Sequence, residues 1–132
     1  MKESPFKGKT GIERIIRAFF NSIAGLSDAF KHESAFRQEL LGAAILIPVA
    51  FLLPLSALEH VALIASVIMV MIVELLNSSV EAAIDRIGLD HHLLSKRAKD
   101  IGSAAVLLSL VLLLVTWGLI AGPLAIAYFA TR

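Results

Sequence analysis

The sequence predicts an all-α membrane protein in which three transmembrane helices follow an amphipathic helix lying on the membrane surface. Three observations lead to that class. Of 132 residues, 58% are hydrophobic and the mean hydropathy is +0.83, above the roughly 45–50% apolar content usual for soluble domains. Leu40–Leu58 and Ile101–Thr131 contain no Asp, Glu, Lys or Arg, and His60–Val73 is equally free of them until Glu74 interrupts the run. A spanning helix needs about 20 mostly apolar residues, so three crossings are expected. Finally, every Lys and Arg except Arg132 lies before Leu40 or between Asp85 and Asp100, and the loop Pro54–His60 has none. The positive-inside rule then puts the N-terminus and the second loop in the cytoplasm.

Within this frame, residues 1–10, with three Lys, a Pro and a Gly, read as a flexible cytoplasmic tail. Residues 11–132 form a single domain. In the surface helix, about 11–32, Ile12, Ile15, Ile16, Phe19, Ile23, Leu26 and Phe30 recur at helical spacing. Arg14, Arg17, Asn21 and Asp28 fall opposite them, a pattern suited to the interface between headgroups and acyl chains. Lys31–Glu39 is a charged link into the first span, about 36–54, which contains Pro48 and ends near Pro54. Ser56 and Glu59 make an S-x-x-E capping box for the second span, about 57–87. That helix meets no Pro or Gly until Gly88, a plausible stop. At 1.5 Å per residue it measures about 46 Å. The hydrocarbon core is only about 30 Å thick. Its end, with Glu81 and Asp85, therefore projects into the cytoplasm and leaves Glu74 about one turn inside the boundary. Ser95 is the expected N-cap of the third span, about 96–121, which Gly122-Pro123 should terminate. No basic stretch runs into a short apolar core with an A-x-A site, so no cleaved signal peptide is expected.

At 100° per residue, Glu74, Asn77, Ser78, Glu81 and Asp85 form one stripe about 100° wide. An interhelical hydrogen-bond seam would account for Asn77 or Ser78 alone. It accounts poorly for three carboxylates on one face, since like charges at i, i+4 repel unless a cation compensates. A carboxylate at the depth of Glu74 is expensive and therefore marks function. The third helix opens with "SKRAKDIGSAAV", in which Lys96, Lys99, Asp100 and Ser103 share a face. Alone this is an ordinary positive flank. Opposite an acidic stripe it becomes the kind of arrangement that holds nucleotide phosphates with a hard cation. His91 and His92 are adjacent and lack zinc-site spacing. With no Cys, the chain has no thiolate nucleophile or disulfide. There is no Gly-rich phosphate loop and no G-x-S-x-G elbow, and a net charge of +1 suggests no nucleic-acid partner. Three helices shield a polar stripe poorly, so self-association is expected.

The run "E-x-x-N-S-S-x-E-x-x-x-D-R-I-G" at Glu74–Gly88, followed by "S-K-R-A-K-D-I-G-S-A-A-V" at Ser95–Val106, resembles the prokaryotic integral-membrane diacylglycerol kinase family. "E-S-A-F-R-Q-E" at Glu33–Glu39 and "E-R-I-I-R-A" at Glu13–Ala18 extend the resemblance over roughly Gly11–Trp117. It implies a homotrimer in the bacterial inner membrane, with active sites between subunits. It also implies magnesium-dependent transfer of the ATP γ-phosphate to a lipid hydroxyl, with diacylglycerol giving phosphatidic acid. By position, Glu74 would be the general base, and Glu33 and Glu81 would hold magnesium. Arg14, Asn21, Glu33, Glu81, Asp90, His91, His92, Lys99 and Asp100 would contact ATP. Arg14, Ala35, Arg37, Glu39, Glu74, Asn77 and Ser103 would line the lipid site. The chain departs from the family pattern at Ile23, where several members carry Trp, and at Asp90-His91-His92-Leu93, where an acidic residue, Tyr and His are usual and the next position is acidic. Two other functions fit the pattern. One is an undecaprenol kinase of the same family. The other is a small proton-coupled oligomeric transporter built around Glu74, which would need no ATP and would leave Lys99 and Asp100 without a role.

Overall fold

The computed structural model describes residues 10–132, so the expected tail lies outside the described residues except for Thr10. All regular structure among them is helical: α1 (Ile12–His32), α2 (Ser34–Leu52), α3 (Ala57–Ile87), α4 (Leu93–Ile120) and α5 (Gly122–Ala130). The chain divides into two compact units, Met1–Glu33 and Ser34–Arg132.

In the first unit, Gly11 starts α1 with φ at 77°, a left-handed value that glycine adopts without steric penalty. Its carbonyl accepts from the N–H groups of Arg14 and Ile15. Glu13 sits in the first turn and pairs with Arg17 at 3.2 Å, while Lys31 and His32 occupy the last turn. Those charges oppose the helix dipole at both ends. Extended backbone at Glu33 ends the helix, and the Glu33 N–H donates to Ala29 O at 2.8 Å.

The second unit is built on α3, which packs against both α2 and α4. Along α2 the buried residues are Phe36, Ala43 and Ala50, seven apart, and along α3 they are Leu63, Ser66, Val67, Val70 and Glu74. The alanines let two backbones approach closely, as membrane helices must when the solvent is as apolar as their own side chains. Near the far end of the bundle, Leu63 O accepts from Ser66 Oγ at 2.7 Å and from Trp117 Nε1 at 3.3 Å, which ties α4 to α3. Pro48 removes one N–H from α2 without ending it. Between α2 and α3, His60 Nε2 donates to Leu53 O at 3.0 Å and its ring stacks on Phe51.

The capping box is present: Glu59 N–H donates to Ser56 Oγ, and Ser56 N–H to Glu59 Oε2 at 2.8 Å. At the other end of α3, Gly88 N–H donates to Ile84 O. The start of α4 differs from expectation. Its cap is His92, whose Nδ1 accepts from Leu94 N–H at 3.1 Å, so Ser95 lies inside the helix. An imidazole nitrogen satisfies an orphan N–H as a hydroxyl would. The end of α4 falls at Ile120, where Gly122-Pro123 predicts it, but the chain turns straight into more helix. Ala121 keeps helical backbone, and Pro123 falls in the first turn of a further helix, where its missing N–H costs nothing. Most large apolar residues of α2 to α4 are exposed, among them Leu41, Leu58, Leu107, Leu114 and Leu119. Three of the helices are long and apolar enough to cross a membrane, and lipid or a neighbouring subunit would cover those faces.

Candidate active site

Exposure rises steadily along the polar face of α3. Glu74 is buried, at 6% exposure. Asn77, Ser78 and Glu81 are half-buried, and Asp85 is exposed. A continuous helix without Pro or Gly holds these groups in fixed register, so the face runs from a dry carboxylate to a wet one over three turns. Asn77 Nδ2 donates to Glu81 Oε1 at 3.3 Å. Because a carboxylate only accepts, this bond fixes which end of the amide faces Glu81. Asn77 Oδ1 points the other way, buried and without a hydrogen-bond partner, against Gly102 of α4.

Lys99 closes the wet end from α4. Its Nζ donates to Asp85 Oδ1 at 2.7 Å, a contact between residues 14 positions apart. One turn earlier, Lys96 pairs with Asp100 along the same helix. Lys96, Lys99, Asp100 and Ser103 share a face of continuous α4, but their side chains take different partners. Lys99 turns to α3, Asp100 turns back to Lys96, and Ser103 is exposed. Asp85, Asp90, His91, His92, Lys96, Lys99 and Asp100 line an open pocket of about 470 Å³ where α3 meets α4.

The dry end receives a second acid from α2. Glu39 is half-buried, interacts electrostatically with Glu74, and keeps Oε2 buried with no hydrogen-bond partner. It sits at the edge of a cavity of about 240 Å³ whose wall is otherwise mostly apolar, including Ala43, Leu46, Val67 and Leu110. Another apolar groove, about 470 Å³, opens beside Asn77 between Val73, Leu76, Val80 and Ile101. Acid groups flanked by apolar cavities can receive a molecule with a polar head and hydrocarbon arms.

Glu39, Glu74, Asn77, Glu81, Asp85 and Lys99 thus stand together in the second unit. Ala35 and Arg37 are exposed on the first turn of α2, where Arg37 has an interaction of its own. Arg14 and Asn21, both exposed on α1, and Glu33, its C-cap, belong to the first unit. Among the described residues no three His, Asp or Glu side chains converge as a ready metal cage. Magnesium keeps several waters and takes one or two carboxylates together with substrate phosphates. Half-buried Glu81, an electrostatic neighbour of Lys99 one turn before Asp85, offers hard oxygen and fits such an ion. Gly102 is the site residue that sequence reasoning passed over, although a glycine inside an otherwise regular helix was a visible signal.

A family model described as prokaryotic diacylglycerol kinase matches residues 20–121. A diacylglycerol kinase of Pseudomonas aeruginosa is 52% identical over 120 residues, covering 91% of this chain and 98% of the relative. The diacylglycerol kinase of Escherichia coli K12 is 49% identical over 108 residues, 82% of this chain and 88% of its own. That of Helicobacter pylori 26695 is 42% identical over 116 residues, 88% of this chain and 90% of its own. By the extent of the family match and by this level of identity along most of its length, the chain belongs to the prokaryotic diacylglycerol kinase family.

Proposed function

We propose that this protein transfers the γ-phosphate of ATP to the free hydroxyl of 1,2-diacylglycerol, giving phosphatidic acid, at the cytoplasmic face of a bacterial inner membrane. The observation that carries this reading is the graded face of α3, from buried Glu74 to the exposed Asp85–Lys99 pair. A lipid hydroxyl resides near the membrane surface and a nucleotide in water, so a site for both must span that gradient.

Phosphoryl transfer asks chiefly for positioning and charge neutralisation. Glu74 accepts the hydroxyl proton as the lipid oxygen forms its bond to the γ-phosphorus and the bond from that phosphorus to ADP breaks. Lys99 offsets charge on the phosphoryl oxygens from the α4 side. Glu81, held by Asn77, binds the nucleotide's magnesium, and the resemblance assigns Glu33 to the same ion. Magnesium, when bound, neutralises phosphate charge. Arg14, Asn21, Asp90, His91, His92 and Asp100 contribute to ATP binding, and Arg14, Ala35, Arg37, Glu39, Asn77 and Ser103 to the lipid. The working unit is a homotrimer, with α1 lying in the cytoplasmic interface. Exposed apolar faces and a half-covered polar stripe support both expectations.

The test is purified protein in mixed micelles with labelled ATP, magnesium and a panel of lipid alcohols. Label should enter phosphatidic acid when diacylglycerol is supplied. Label confined to an undecaprenol product would reassign the acceptor. No labelled lipid of any kind, with ATP-independent proton flux in vesicles, would replace the kinase with a transporter.

A further inference from the structure

Gly102 differs from the other glycines in the described helices. A Cβ placed on Gly25, Gly42, Gly118 or Gly122 would meet nothing within 4 Å. At Gly102 the three nearest atoms all belong to Asn77: Oδ1 inside any ordinary contact distance, Cγ at 3.3 Å and Cβ at 3.9 Å. The amide therefore occupies the volume where every other amino acid carries its side chain. That same amide is oriented by its opposite end, through Nδ2 to Glu81 Oε1 at 3.3 Å. Its Oδ1 gains no hydrogen bond in return for being buried there. A buried acceptor without a donor is unfavourable, so local hydrogen bonding alone does not select the arrangement. It does give Glu81 a donor.

We propose that Gly102 is a positioning residue for the nucleotide site: the missing side chain on α4 lets Asn77 turn its amide nitrogen to Glu81 and so hold that carboxylate for the magnesium-nucleotide. The inference rests on the assignment of Glu81 made above and deepens it. A methyl group at Gly102 collides with a terminal side-chain oxygen and not with backbone, so Asn77 rotates away and Glu81 loses its donor. Alanine is also the better helix former. The fold therefore persists while the carboxylate is released.

The experiment compares wild type, Gly102→Ala, Asn77→Ala and the Gly102→Ala/Asn77→Ala pair as full-length proteins in mixed micelles. Thermal midpoints are recorded beside the apparent constant for Mg-ATP. Losing an outer partner of a ligating carboxylate typically costs about 10- to 100-fold. Gly102→Ala should raise the Mg-ATP constant by at least about tenfold without lowering the thermal midpoint. The pair should be no worse than Asn77→Ala alone, because the collision is gone once Asn77 is shortened. An unchanged Mg-ATP constant in Gly102→Ala would overturn the inference. So would a full additional loss when Gly102→Ala is introduced into Asn77→Ala, or a pair that fails to fold, since either result would mean that the glycine serves something other than Asn77. Wild type inert toward every lipid alcohol would instead sink the kinase reading itself.

Discussion

At the scale of single residues, much of the site was legible because helical periodicity is a property of sequence. Spacings of three and four put Glu74, Asn77, Ser78, Glu81 and Asp85 on one face, and the structure gives that face its gradient of exposure. Periodicity does not tell which neighbour a side chain chooses. Lys99 reaches α3 while Asp100, one residue on, bonds Lys96, and only the packing of α4 decides between them. Nor could sequence show Asn77 filling the space over Gly102, a contact between helices. The assignment of Glu81 makes a direct prediction. Glu81→Gln removes a charge from the wet half of the stripe, so the apparent Mg-ATP constant should rise by about tenfold or more. The maximal rate should fall less. Steady-state rates at a series of Mg-ATP concentrations measure both, and an unchanged constant would remove Glu81 from the metal site.

At the scale of elements, the ends that use standard capping chemistry were readable and those that do not were missed. Ser56 and Glu59 form the S-x-x-E box, both of whose bonds are made. His92 caps α4 with a ring nitrogen, a role that no simple signature marks, so Ser95 drew the expectation instead. Gly122-Pro123 does mark the end of α4, at Ile120, but not the helix beyond it: Pro is equally suited to a first helical turn, and α5 begins there. Ser56→Ala should remove the side-chain half of the capping box and cost about 1 kcal/mol. Because Ser56 stands at the opposite end of α3 from Glu81, turnover at moderate temperature should stay near normal. Reversible unfolding in micelles reads the first effect and the lipid-kinase assay the second. A stable variant with lost turnover would contradict the separation.

For the whole molecule, composition alone dictates the three apolar helices, and the exposed leucines on α2 to α4 are reasonable only in lipid or against other subunits. What the sequence cannot state is how closely the helices approach, since that depends on which small residues face inward. Ala50 is fully buried on α2. Ala50→Leu should overpack that position, with a penalty of about 1–3 kcal/mol, and loosen α2 from α3 without touching a polar site residue. A lowered unfolding midpoint with an unaltered Mg-ATP constant is the expected pair of results, and an unmoved midpoint would show that the helices have slack.

The most direct test is Glu74→Gln, which keeps the volume and removes the proton acceptor. Losing a general base typically costs about 10²–10⁴-fold in rate. Phosphate transfer to diacylglycerol should therefore fall at least a hundredfold, with Mg-ATP affinity and oligomer size held at wild-type values. Turnover within a few-fold of wild type would contradict the account, because proton removal from the lipid would then need no group at that position.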